Sequence, residues 1–93
     1  MRLISDKSLR DFADQHPEAR EPLWFWRSVI RRGSFWGFAD LKKSFNTIDK
    51  VGDCYVFDIG GNKFRVVAAI HFNTQILYVR FVYTHKEYDK WKP

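Results

Sequence analysis

The sequence predicts an α+β fold: a single small domain over residues 1–93, with element order β-α-α-β-β-β-α. Three observations carry this. Apolar residues recur at helical spacing in the first half of the chain. From Cys54 onward the pattern changes to a period of two, rich in Val, Ile, Phe and Tyr. Between the first two of these runs stands Gly60-Gly61-Asn62, whose residues supply the positive backbone angles of a tight hairpin. The expected sheet is an antiparallel three-strand meander with a short N-terminal strand added, and the helices lie on one face.

Leu3-Ile4 is long enough only for a very short strand. Ser5 or Asp6 offers an N-cap for a helix over residues 6–15, with Leu9, Phe12 and Ala13 on one side. His16-Pro17 ends it, because a residue before proline is pushed out of helical geometry. His16 is expected to face solvent. A second helix runs from about Pro17 or Glu18 to Arg32, with Leu23, Trp26, Val29 and Ile30 as its apolar stripe. Pro22 implies a kink or fresh start there, and Gly33 a C-cap. A short helix is expected over residues 39–45. Residues 54–59, 63–72 and 76–83 form the meander, with Asn73-Thr74-Gln75 as the second connection. Thr84 and Glu87 have the spacing of a capping box, so a last helix starts at His85.

Composition narrows the function. A formal charge of +5 and an 18% aromatic content describe a folded, basic domain suited to an anionic partner, with nucleic acid ahead of membrane. The single cysteine, Cys54, excludes an intrachain disulfide and reads as a small core residue in a cytoplasmic protein. The N-terminus does not resemble a signal peptide, and no stretch has the length of a membrane span. Positive charge concentrates in residues 27–50, where Arg27, Arg31, Arg32, Lys42, Lys43 and Lys50 face only Asp40 and Asp49. Arg27 and Arg31 lie one turn apart and share a helix face. Aromatic residues interleave with these lysines, a pattern that suits base stacking and phosphate contact. The plainer account is that Trp24, Trp26, Phe35, Trp36 and Phe38 supply the bulk of the core.

Strand parity divides the chemistry. Phe64, Val66, Ala68, Ile70 and Phe72 point to one face of the middle strand and Lys63, Arg65, Val67, Ala69 and His71 to the other. Strict alternation on the last strand sets Leu77, Val79, Phe81 and Tyr83 against Tyr78, Arg80 and Val82. The apolar face belongs under the helices. The other holds Arg65 and Arg80, and a guanidinium within a middle strand is costly unless paired or facing a wet groove. A salt bridge to Asp58 is the structural account of Arg65; anion binding is the functional one. RNA cleavage without a metal needs a fixed cation on the phosphate, a base for the 2′-hydroxyl and an acid for the leaving 5′-oxygen, and histidine suits either proton role. His85 is the leading candidate, against the plainer role of a helix-capping residue, and His71 the weaker one. No zinc site, phosphate loop or cofactor motif is present.

Taken together, Arg2-Leu3-Ile4-Ser5, the stretch from Tyr55 through Gly60-Gly61-Asn62-Lys63-Phe64-Arg65-Val66-Val67, and Tyr83-Thr84-His85-Lys86-Glu87-Tyr88-Asp89 resemble the HigB-type toxins of bacterial toxin–antitoxin modules, within the RelE superfamily. The resemblance runs along nearly the whole chain. It implies a compact RelE-like toxin that enters the ribosomal A site and cuts mRNA, and a helix-turn-helix antitoxin of the HigA type that neutralises it. Residue by residue it implies that Arg65 holds the scissile phosphate, His85 does acid/base work and Tyr88 orients the substrate or stacks on a base. Lys63, Lys42, Lys43, Lys50, Lys86 and Arg80 are expected to contact RNA or ribosome. Some relatives carry a histidine or glutamate before the first meander strand as a proton-transfer partner. Asp49, Lys50 and Asp53 stand there instead: either Lys50 serves, or a ribosomal group helps, or the mechanism leans on electrostatics and positioning alone. Two rival readings remain beside mRNA cleavage: a non-catalytic RNA- or ribosome-binding module, and a protein-interaction domain.

Overall fold

The computed structural model describes residues 1–92; Pro93, the last residue of the expected domain, lies outside them. Strand β1 (Arg2–Ile4) leads into helix α1 (Asp6–Gln15), a 3-10 turn (Pro17–Ala19) and helix α2 (Arg20–Arg32). Helix α3 (Phe38–Ser44) follows, then strands β2 (Asp49–Val51), β3 (Cys54–Ile59), β4 (Phe64–His71) and β5 (Ile76–Thr84), and helix α4 (His85–Lys90). The sheet order is β1-β5-β4-β3-β2, with β1 parallel to β5 and every other pair antiparallel.

Local signals set most boundaries. Ser5 Oγ accepts from the Lys7 amide at 3.2 Å and caps α1. Pro22 falls in the first turn of α2, where its missing N–H costs nothing, so α2 is a fresh start after the 3-10 turn. Gly33 closes α2 in an extended conformation rather than a left-handed one. Its small size matters for another reason: a Cβ there would lie 2.6 Å from the ring of Phe35. The β3–β4 hairpin turns through positive φ at Gly60, Gly61 and Asn62, as expected.

Helices α1, α2 and α3 bury their apolar sides against one face of the sheet. Leu9, Leu23, Trp26, Ile30 and Leu41 from the helices meet Phe57, Val66, Ala68 and Leu77 from the strands, all nearly inaccessible. Trp26 packs edge-on against Phe57 at 5.1 Å. Phe35 joins this core and Phe38 and Trp24 flank it, but Trp36 stays 65% exposed, so the expectation of aromatic core bulk fails at that position. His16 is half-buried rather than solvent-facing, because its ring stacks on Phe12 at 4.5 Å. Cys54 is half-buried at the start of β3, outside the core.

Two features were not legible in the pattern. Asp49–Val51 form an edge strand, β2, through a hairpin at Gly52, whose φ is +59°. A β-bulge then interrupts the β4–β5 ladder: Val67 pairs with Phe81, but Ala68 pairs with Val79, so Arg80 is the extra residue. The bulge breaks strict alternation. Leu77 and Val79 face the helices, whereas Phe81 and Tyr83 share the opposite face with Val67 and Arg65, their cross-strand partners. Helix α4 turns toward that opposite face and packs on β4 and β5. None of the described helices is long and apolar enough to cross a membrane.

Polar tethers lock the loops. The Gln75 side chain donates to the carbonyls of Phe35 (2.6 Å) and Phe72 (2.8 Å) and accepts from the Phe35 amide (3.2 Å). Its own carbonyl receives the Arg2 amide. One residue thus joins the loop after α2 and the β4–β5 turn through its side chain, and the entry to β1 through its backbone. Arg27 grips Asp6 through two 2.8 Å hydrogen bonds, and Arg31 approaches it at 3.7 Å. The shared face of Arg27 and Arg31 is therefore turned toward an internal carboxylate. The Arg27 hydrogen bonds hold the Asp6 carboxyl below its ordinary value against a smaller opposing effect of burial.

Removing the Gln75 tether by Gln75→Ala leaves the partly buried Phe35 backbone groups without partners and should cost about 1–3 kcal/mol, read as a lower urea midpoint with an unchanged slope. Asp6→Asn should cost about 1 kcal/mol at neutral pH. Because the folded-state value of Asp6 is depressed, its contribution is complete above the ordinary carboxylate range and fades as pH falls through the lowered value. Parent and variant should therefore converge as acid protonates Asp6; a gap that does not narrow as pH falls would assign the loss to something other than this ion pair.

Candidate active site on the open sheet face

The face opposite α1–α3 carries Asp49, Val56, Asp58, Arg65, Val67, Phe81 and Tyr83 by cross-strand register. Arg65 lies near its centre and is only 7% exposed. Guanidinium offers five N–H donors, and each has a partner. Nε meets Asp58 Oδ1 at 2.9 Å. Nη1 donates to the carbonyls of Asn62 (2.9 Å) and Phe64 (3.1 Å). Nη2 donates to Asn62 Oδ1 at 2.9 Å and faces His85 Nδ1 at 3.2 Å. The Asp58 salt bridge expected as the structural account of Arg65 is thus present, and the fork is not free in this state.

His85 reaches this position through the turn into α4. Thr84 Oγ1 accepts from the Glu87 amide at 3.2 Å, and Glu87 Oε1 accepts from the Thr84 amide at 2.8 Å, which completes the capping box. The His85 amide donates to the Lys63 carbonyl at 3.0 Å, tying the helix start to the β3–β4 hairpin. Arginine can only donate, so Nδ1 is the acceptor and the neutral ring carries its proton on Nε2. Nε2 lies 3.5 Å from Asp89 Oδ2, one helical turn on.

Tyr88 completes the cluster. The Arg65 guanidinium sits over its ring, 5.5 Å from the centroid. Burial, followed by the Asp49 carboxylate, raises the Tyr88 phenol above the usual tyrosine range, and Arg65 only partly offsets this. Burial likewise raises Tyr83, with Glu87 adding to it. Both hydroxyls stay protonated at neutral pH.

Sequence reasoning named Arg65, His85 and Tyr88, and the fold brings these three together. Lys63 joins them through its backbone, with its side chain exposed in the hairpin; Lys86 is exposed on α4, and Arg80 is exposed at the bulge. Lys42, Lys43 and Lys50 lie elsewhere. Lys42 sits over Phe38 and Lys50 over Tyr55, two aromatic rings on the helix side of the sheet, and Lys43 lies 3.8 Å from Asp40. Lys50 therefore points away from Arg65, and Asp49, its neighbour in β2, takes the face toward Tyr88. His71, on the Arg65 face but at the far end of β4, stacks edge-on against Tyr78. The sequence reading missed Asn62 as a holder of Arg65, although its place three residues before an in-strand arginine was a signal. Asp49 was named in the sequence but its face is set only by β2, and the bulge moves Tyr83 to the face opposite the one strict alternation gave it.

With this geometry in place, relatives can be set beside the chain. The family described as the RelE-like toxic component of a toxin–antitoxin system matches residues 19–91. The chain is 40% identical over 92 residues to the mRNA interferase toxin HigB of Escherichia coli, an alignment covering 96% of this chain and 88% of that protein. The mRNA interferase HigB of Shigella flexneri matches to the same extent. A further mRNA interferase HigB, from another Escherichia coli strain, is 30% identical over 97% of this chain and 90% of its own length. This chain belongs to the HigB family of RelE-like toxins, the toxic components of toxin–antitoxin systems.

Proposed function

We propose that the protein is an endoribonuclease that cleaves mRNA at the ribosomal A site, by attack of a 2′-hydroxyl on the adjacent phosphorus without a metal ion. In that reaction the 2′-oxygen bonds to phosphorus while the bond to the 5′-oxygen breaks, leaving a cyclic phosphate and a free 5′-hydroxyl. One group takes the 2′-hydroxyl proton and another protonates the leaving oxygen. The observation that carries the reading is the contact of His85 Nδ1 with Arg65 Nη2 at 3.2 Å, beneath the ring of Tyr88.

That contact is the longest of the five made by the guanidinium, and its acceptor is a neutral nitrogen. An incoming phosphate oxygen is a stronger acceptor for Nη2. Its entry transfers Nη2 from His85 to the scissile phosphate and frees Nδ1 to take a proton. Asp58 and Asn62 keep the rest of the fork in place, so charge developing on phosphate meets a donor that needs little reorganisation. Tyr88, held protonated, donates to a phosphate oxygen or orients the ribose. The second proton-transfer partner comes from Asp49, on the same face, or from the ribosome. Lys63, Lys86 and Arg80 guide RNA to this face, while Lys42, Lys43 and Lys50 form a separate basic region suited to ribosomal RNA. The neutralising partner is a helix-turn-helix antitoxin of the HigA type, and the site of action is the cytoplasm.

Induced expression should arrest growth and leave mRNA broken within translated regions. His85→Ala should lower cleavage by roughly 100-fold or more. Arg65→Lys should lose nearly as much as Arg65→Ala, because an ammonium cannot hold Asp58, Asn62 and a phosphate together. Tyr88→Phe, which keeps the ring, should cost less than roughly 10-fold if the hydroxyl only orients substrate. Retained arrest and cleavage in both Arg65→Ala and His85→Ala would place the chemistry elsewhere. Arrest without cut RNA would favour the binding-module reading, to which the fully partnered Arg65 also lends itself. Cleavage of naked mRNA by the pure protein at the same rate as with ribosomes would refute ribosome dependence alone.

A further inference from the structure

Beyond the Arg65 cluster the open face holds a second recess of about 350 Å³, lined by Asp53, Cys54, Arg80, Phe81, Trp91 and Lys92. The β-bulge creates it. Without the extra residue, Phe81 would face the helices; with it, Phe81 lies on the open face and is 39% exposed. One side of the Phe81 ring is taken by Tyr83, stacked at 5.3 Å with 13° between planes. Phe81 still lines the recess and keeps 39% of its surface exposed. Trp91 closes one flank at 6.4 Å and 56°, too inclined for the two rings to sandwich a base between parallel planes but suited to a wall beside one.

The recess adjoins the catalytic cluster. Trp91 stacks on Tyr88 at 5.8 Å, and Tyr88 in turn lies over Arg65 at 5.5 Å. Charge is arranged around it with polarity. Arg80 is exposed and pairs with no carboxylate among the described residues, and Lys92 stands at the same rim. Asp53 lines the recess as well, and a carboxylate repels phosphate but accepts from the N–H groups of a base edge. A flat aromatic platform, an unpaired guanidinium for phosphate and an acceptor for a base match one nucleotide of single-stranded RNA.

We propose that this recess is a nucleotide subsite next to the scissile position: the base stacks on Phe81 beside Trp91, its edge meets Asp53, and its phosphate meets Arg80 and Lys92. The proposal deepens the mRNA-cleavage reading and rests on it for the position of the cut, but binding can be measured apart from cleavage. The probe is a four-nucleotide single-stranded RNA, titrated into the full-length His85→Ala protein, which spares the RNA. The indole N–H signal of Trp91 is followed by NMR and identified by its loss in Trp91→Phe. That signal should move on titration while those of Trp24 and Trp26 stay in place. Phe81→Leu, which keeps apolar bulk but removes the platform, should weaken binding by roughly 10-fold. Arg80→Gln should reduce the slope of log affinity against log salt by about 0.7.

An unmoved Trp91 signal, or binding unchanged in Phe81→Leu, overturns the subsite. So does an equal response to inorganic phosphate, which would mean an anion site without base recognition. In cells, Phe81→Leu and Arg80→Gln with His85 intact should lower cleavage by roughly 10-fold and flatten the base distribution at one position beside the cut. Unchanged cleavage and distribution overturn the subsite while leaving the catalytic reading standing. If Arg65→Ala and His85→Ala retain cleavage, the catalytic reading fails, and the NMR titration still decides the subsite.

Discussion

A guanidinium on a middle strand, nearly closed to water, must find an acceptor for every one of its N–H groups inside the protein, and the open face is organised around how Arg65 does so. Asp58, its direct cross-strand partner, neutralises the charge. The hairpin supplies two more acceptors from Asn62, and it does so from a left-handed turn residue with φ of +84°. The Phe64 carbonyl supplies a fourth, and His85, in the first turn of α4, the last. Removing one partner from such a buried charge usually costs about 3–5 kcal/mol. The hairpin, β3 and α4 are thereby coupled through a single side chain. The arrangement that stabilises the face also sets the tautomer of the histidine proposed to act there.

The bulge at Arg80 is the second constraint, and it acts on the same face. Insertion of one residue turns Phe81 and Tyr83 over from the helix side to the Arg65 side while leaving Leu77 and Val79 in the core. The core loses nothing, since Val82 takes the inward position opposite Val66. The open face gains a pair of stacked rings and an exposed cation. Bulges recur beside functional sites because they re-aim side chains without rebuilding the sheet. Here the re-aimed rings continue through Trp91 and Tyr88 to the guanidinium, so recognition and proposed chemistry share one surface.

Much of this was legible in the sequence, and the limits have physical causes. The helices and the meander followed from period and punctuation: Ser5, Pro17, Gly60-Gly61-Asn62 and the Thr84–Glu87 box each acted locally, as their chemistry requires. Arg65 and His85 stood out because a charged residue inside a strand and a histidine at a helix start both need explanation. What could not be read were features decided by tertiary pairing. Asp49-Lys50-Val51 has no strand pattern of its own and becomes β2 only by pairing with β3. The bulge leaves no residue signature, so parity failed past Val79. Arg27 and Arg31 share a helix face within the most basic stretch of the chain, yet the fold sets Asp6, from the start of α1, directly against them. Charge counts along a sequence cannot distinguish an ion pair across helices from a free surface.

That last distinction bears on the RNA contacts of the proposed function. With Arg27 committed to Asp6 and Lys43 beside Asp40, the cationic segment of residues 27–50 presents fewer free charges than its composition implies. The lysines that remain there, Lys42 and Lys50, rest over aromatic rings on the helix side of the sheet. Lys63, Arg80 and Lys86 belong instead to the Arg65 side or its rim. A single strand of RNA cannot lie on both regions at once without wrapping the β2 edge. The division suits the proposed function, in which a structured RNA surface is met through charge alone and an unpaired strand is threaded past stacked rings toward Arg65. In that arrangement the basic composition, which first pointed to nucleic acid, is divided between two tasks rather than concentrated at the site of chemistry.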